Sequence, residues 1–161
     1  MNADPYRDIL RVRASGLLFE NDRLLLARLN VPTREQPVWM PPGGAVKAGE
    51  LLESALEREF REETGLEVKP GRMVMVHEFI EPPWHALEIY FLCSLTGGEL
   101  KLGRDPERAE DDQILLDLKF VPFDKLKNME LYPQILEEKI VDFSTGTSGV
   151  LHVRSRDPQR G

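Results

Sequence analysis

The chain has 161 residues, 41% of them hydrophobic and 30% charged, with a net charge of −7. That length suffices for one domain over 1–161 with a full hydrophobic core, and the negative charge argues against a surface that coats nucleic acid. A single cysteine, Cys93, rules out a disulfide framework and fits a reducing compartment.

No apolar run approaches the ~20 residues of a membrane span. Met1-Asn2-Ala3-Asp4-Pro5 lacks the basic and apolar regions of a signal peptide. The expectation is a cytoplasmic protein with no membrane partner and no nucleic-acid partner.

The first element is a strand from Ile9 to Phe19, rich in β-branched and aliphatic residues. Glu20 to Arg23 is a turn, and Leu24 to Leu29 returns as the second arm of a hairpin. A polar loop with two prolines, 32–37, leads to the short strand Val38-Trp39-Met40. Pro41-Pro42-Gly43-Gly44 then breaks any regular structure. A helix follows over roughly 51–64. Two strands come next, 72–80 and 87–95, joined by Glu81-Pro82-Pro83-Trp84-His85. Residues 97–112 form a charged loop, and 115–121 is another strand. Two short helices are predicted at 124–129 and 132–141. A polar tail begins near 143, with a brief strand-like stretch at 150–153. Strands outnumber helices, which suggests an α+β or α/β sandwich around a mixed sheet.

The predicted helix carries the chemistry. Leu52, Ala55, Leu56 and Phe60 recur at helical spacing and define one apolar face. At about 100° per residue, Glu59 and Glu63 fall inside the same stripe and Glu62 lies at its edge. A solvated surface helix keeps its acids on the opposite side. Carboxylates crowded in a partly buried place repel each other and resist desolvation. A hard divalent cation with oxygen ligands, Mg²⁺ or Mn²⁺, relieves both problems. Gly43 and Gly44 let backbone approach a ligand, and Gly65 follows the last turn, where a helix stop needs positive φ.

Residues 44–66 resemble the signature of the Nudix hydrolases, Gly-x5-Glu-x7-Arg-Glu-U-x-Glu-Glu-x-Gly-U, where U is a bulky aliphatic residue. Gly44, Glu50, Arg58, Glu59, Glu62, Glu63, Gly65 and Leu66 fall in register. Phe60 is aromatic where an aliphatic residue is usual, which affects packing under the helix. The resemblance implies a mixed sheet between helices and a metal-dependent hydrolase. Such an enzyme cleaves the pyrophosphate bond of a nucleoside diphosphate linked to another moiety. By motif position, Glu59, Glu62 and Glu63 are the expected metal ligands, and Glu62 or Glu63 takes the base role. Arg58 orients these carboxylates, and Glu50 is an accessory candidate. The backbone of Gly43 and Gly44 is expected to face metal or phosphate. Family members often recruit one further acid from a loop. The candidates are Glu107, Glu110, Asp111 and Asp112, of which Glu110 is preferred.

In the ADP-ribose subgroup a proline follows the motif by about sixteen residues, and Pro82 stands sixteen after Leu66. ADP-ribose or a nucleotide sugar is therefore the leading substrate class, ahead of a nucleoside triphosphate. Trp84, beside that proline, is expected to stack on a base or sugar face. A catalytically silent nucleotide-binding module would need a damaged carboxylate set, and this one is intact. His77, His85 and His152 lack metal-ligand spacing and are read as structural or solvated. Cys93, inside an apolar strand, is read as buried and unreactive. The resemblance also admits a homodimer.

Overall fold

The computed structural model describes residues 6–104, 106, 108–146 and 149–156. Its frame is a mixed sheet of eight strands in the order β3-β2-β1-β6-β5-β8, with β4 pairing β1 and β7 pairing β2 off that path. β1 (Leu10–Glu20) is the central strand. It runs parallel to β6 (Trp84–Gly98), from Leu10 opposite His85 to Leu18 opposite Cys93. Its other edge pairs antiparallel with β4 (Gly43–Ala45) near the start and with β2 (Arg23–Leu29) at the hairpin end. β2 continues outward to β3 (Val38–Met40) and to β7 (Leu115–Pro122). β5 (Leu66–Glu81) lies antiparallel to β6, and β8 (Leu151–Arg156) runs parallel to β5.

Successive strand residues point to opposite faces, so the sheet has a core on each side. Leu17, Leu24, Leu26 and Tyr90 join one core, while Leu18, Leu25 and Phe91 join the other. α2 (Leu136–Thr145) closes the first with Leu136, Ile140 and Phe143. α1 (Leu52–Thr64) closes the second with Ala55, Leu56 and Phe60. The aromatic residue at the aliphatic motif position is thus fully buried, a burial worth about 1.5–3 kcal/mol. α1 stops at Gly65, whose φ of 71° gives the left-handed cap that a side chain would resist.

The structure departs from the predicted elements in informative places. Gly43–Ala45 is a strand, β4, although two glycines and the prolines before it read as a loop. β5 and β6 are longer than expected and meet at a turn of only Pro82-Pro83, so Trp84 and His85 open β6. The predicted helix at 124–129 is a 3-10 turn over Phe123–Asn128. α2 starts later than predicted, at Leu136, and a proline at 133 disfavours helix at the residue before it. The strand-like stretch in the tail becomes β8, a full edge strand. No helix among the described residues is long and apolar enough to cross a membrane.

Candidate active site

The last two turns of α1 lie against β4, and this contact builds the site. The Gly43 N–H donates to Glu63 Oε2 at 3.1 Å. A Cβ on Gly44 would stand 2.2 Å from the Glu59 carboxyl carbon, so only glycine allows that carboxylate its place. Gly43 is equally confined, with Ala14 O 2.3 Å from where its Cβ would sit. Two of the motif acids are therefore packed onto the glycine strand.

Arg58 organises the acids from the side. Its Nε and Nη2 donate to the two oxygens of Glu50 at 2.9 and 3.0 Å. Its Nη1 donates to Glu59 Oε1 at 2.7 Å and stands 3.6 Å from Glu62 Oε2. Nη2 also donates to Ala45 O at 3.0 Å, tying the fork to β4. This planar, multidentate use of a guanidinium is what a lysine cannot reproduce. The Arg58 bonds hold the Glu50 carboxyl down at about 2. Glu59 moves the other way, because burial raises it further than Arg58 lowers it. Glu59, Glu62 and Glu63 are all partly buried, at the margin of the core stripe rather than within it.

These groups border a cleft of about 520 Å³. Glu59, Glu62, Glu63, Gly43, Gly44 and Arg58 form one lip. The same lining includes Arg11, Arg13, Lys47, Arg104 and Arg108 as its cationic lip, so a protein of net charge −7 gathers cations at the cleft. Sequence reasoning missed all five. The available signal was Arg11 and Arg13, two arginines at period two in an otherwise apolar strand.

A narrower pocket of about 70 Å³ adjoins the cleft and shares Arg11, Arg13, Val31, Pro32 and Met40 with it. Trp84, Phe79 and Tyr132 line this side pocket, so Trp84 borders it rather than the acidic lip. An open groove of about 550 Å³ beside Trp39 contains no motif residue. Trp39 packs on the α2-side core with Lys119 Nζ 4.4 Å from its ring centroid.

Glu110 is exposed and lies outside the cleft lining, but its carboxylate is 2.7 Å from Arg104, which does line the cleft. Asp112 pairs with Arg108 at 3.3 Å in the same way. Glu107 and the Asp111 side chain lie outside the described residues. His85 and His152 both approach Glu78, at 3.4 and 3.7 Å. Cys93 sits in β6 with its thiol pushed up to about 12 by burial, which leaves it unreactive.

Among the described residues no three His, Cys, Asp or Glu side chains already converge as a metal-ligand set. The donor chemistry nevertheless fits a hard cation. The acidic lip offers three oxygen-donor carboxylates, one of them made costly to ionise by burial.

Comparison with known proteins bears on the family and the fold. The NUDIX domain model matches residues 9–140. A protein named ADP-ribose pyrophosphatase from Methanocaldococcus jannaschii is 36% identical over 102 residues, which is 62% of this chain and 59% of that protein. A human protein named 8-oxo-dGDP phosphatase is 32% identical over 63% of this chain, but the match spans only 30% of its own length. A solved structure described as an ADP-ribose pyrophosphatase from Streptococcus suis shares the fold with a TM-score of 0.65. It is 20% identical, and the overlap covers 89% of this chain and 98% of that one.

Proposed function

The chain belongs to the NUDIX domain family, and we propose on that premise that it is a Mg²⁺- or Mn²⁺-dependent hydrolase of a nucleoside diphosphate linked to a second moiety. ADP-ribose or a nucleotide sugar is the leading substrate. The observation that carries this reading is the cleft itself, whose lining combines three partly buried carboxylates beside a glycine strand with a cationic lip of four arginines and a lysine. A cation held by the carboxylates and a diphosphate held by the arginines would neutralise both lips at once.

Glu59, Glu62 and Glu63 would hold the metal, with the Gly43–Gly44 backbone beside them. When bound, the cation neutralises phosphate charge and lowers the pKa of a coordinated water. Glu63 or Glu62 orients the attacking water and accepts its proton. The new P–O bond forms at one phosphorus while the bond to the bridging oxygen breaks, so the second phosphate leaves and two monophosphates result. Arg58 keeps the carboxylates aimed through its bonds to Glu50, Glu59 and Ala45. Glu110 acts through Arg104, holding that cation at the cleft edge. The cleft of about 520 Å³ is the space for the nucleoside and the second moiety, and the side pocket of about 70 Å³, with Trp84 in its wall, receives only an edge of one of them.

Two relatives' names bear on the substrate. The 8-oxo-dGDP phosphatase name favours a plain nucleotide. The ADP-ribose pyrophosphatase name and the position of Pro82 favour a diphosphate with two substituents. A panel of ADP-ribose, UDP-glucose and nucleoside triphosphates with Mg²⁺ separates them. Nucleoside triphosphates preferred by more than roughly tenfold in kcat/KM, about 1.4 kcal/mol, would overturn the leading substrate class.

A further inference from the structure

The sheet register sets three ionisable side chains in one transverse row. Arg13 of β1 lies opposite Glu88 of β6, and Glu88 lies opposite His77 of β5. Opposed positions on neighbouring strands share a face. By alternation this is the face of Leu17, Met75 and Tyr90, turned away from α1. His77 and Glu88 are 0% and 4% exposed.

The row is tightly bonded at its inner end. His77 Nδ1 is 2.7 Å from Glu88 Oε2, and its Nε2 is 2.7 Å from Ser155 Oγ on β8. Tyr90 donates to the same Glu88 oxygen at 3.4 Å. A carboxylate buried in this way is costly unless fully partnered, so the partners mark it as a built feature. Nothing in the proposed hydrolysis uses Glu88 or His77.

The outer end differs. Arg13 borders both the cleft and the side pocket, at their junction. Its Nη2 donates to Gly43 O at 3.3 Å, and its buried Nε has no hydrogen-bond partner among the described residues. Burial works against the Arg13 charge, but Glu88 first, and Glu63 among others, favour it strongly enough to keep it cationic. A guanidinium presents five donors in a fixed fork, and Arg13 carries that fork in the lining of both cavities.

We infer that Arg13 is a substrate-binding residue that grips a phosphate oxygen where the cleft meets the side pocket, and that Glu88, locked by His77 and opposite Arg13 in the sheet register, is a positioning residue that acts on it through its charge, with no direct ion pair among the described residues. The inference rests on the phosphoanhydride reading of the cleft. Arg11, two residues earlier on the same face, adds a second cation at the junction. The metal side of a diphosphate would then face the acids, and its other side the arginines.

The test uses inorganic pyrophosphate in EDTA as probe, read by calorimetry, with Mn²⁺ binding followed separately by electron paramagnetic resonance. Arg13→Lys and Glu88→Gln are each expected to weaken pyrophosphate binding roughly tenfold or more. The double variant should be no more than about twofold weaker than Arg13→Lys alone, because the two residues act as one unit. Mn²⁺ affinity should stay within about twofold of wild type in every variant. If Glu88→Gln does not unfold cooperatively, Glu88→Asp takes its place with the same expected loss, since the shorter side chain withdraws from Arg13.

Wild-type pyrophosphate affinity in Arg13→Lys, or no pyrophosphate binding by the wild type, overturns the grip. Wild-type affinity in the Glu88 variant beside a weakened Arg13→Lys overturns the positioning role. Mn²⁺ affinity falling in parallel overturns both, since the damage would then be general. Failure of the metal reading is a separate result: the wild type would not bind Mn²⁺, while the pyrophosphate series would still report on Arg13.

Discussion

The two lips of the cleft are built by opposite means. The charged groups of the acidic lip are local in sequence, since Arg58, Glu59, Glu62 and Glu63 belong to one helix and Glu50, the partner of Arg58, to its lead-in. The cationic lip is assembled from β1, from the segment after β4 and from the segment before β7, with no common period. The acidic lip can therefore be read along the chain, whereas the cationic lip exists only once the strands are paired. The acidic lip is also rigidly braced by Arg58, while Arg13 at the cationic lip has one long bond, to Gly43 O.

Disarming the acidic lip should have the largest effect. Glu63→Gln keeps shape and removes charge, and kcat with ADP-ribose at saturating Mg²⁺ should fall by about 10²–10⁴. Unchanged kcat would reduce the lip to a structural feature. The brace comes next. Arg58→Lys loses the fork that joins Glu50, Glu59 and Ala45, so activity should drop by roughly 10–100-fold while the circular dichroism spectrum is kept. Wild-type kinetics for this variant would mean that the carboxylates need no external aim.

The side pocket should matter less. Trp84→Ala is expected to lower kcat/KM by about tenfold, roughly 1.4 kcal/mol, mostly through KM. An unchanged kcat/KM across the substrate panel would remove Trp84 from the site.

The smallest effect concerns stability and has an unusual sign. Burial raises the Glu59 carboxyl above its ordinary 4.5. A carboxyl raised on folding costs stability as pH climbs past its unfolded value, because the native state then gives up a proton it prefers to keep. In EDTA at pH 7, Glu59→Gln should therefore unfold at a temperature no lower than wild type. Added Mg²⁺ should raise the wild-type midpoint and leave the variant nearly unmoved. A variant clearly less stable than wild type in EDTA would show that the Arg58 bond outweighs the burial cost.

Legibility in the sequence follows the same division. α1, its apolar stripe and its Gly65 stop were visible, because helical period and a positive-φ glycine are local signals. The hairpin of β1 and β2 was visible for the same reason. β4 was hidden, since glycine lacks strand propensity and Gly43–Ala45 becomes a strand only by pairing with β1. The side pocket was half visible: Trp84 drew notice beside Pro82, but its partners Phe79 and Tyr132 come from β5 and from before α2. The row of Arg13, Glu88 and His77 was beyond reach. It depends on a parallel pairing of β1 with β6 and an antiparallel pairing of β6 with β5, and no short stretch encodes either register. The charged loop at 97–112 showed its acids but not its direction. Its arginines, Arg104 and Arg108, line the cleft, while Glu110 and Asp112 pair with them from behind.

Phosphorus-31 spectroscopy of ADP-ribose incubated with the protein, in Mg²⁺ and in excess EDTA, reads whether the acidic lip works through a divalent cation on a phosphoanhydride. The expected result is conversion of the diphosphate signal to two monophosphate signals with Mg²⁺, none with EDTA, and recovery when Mg²⁺ is restored. Full turnover in EDTA would contradict the account.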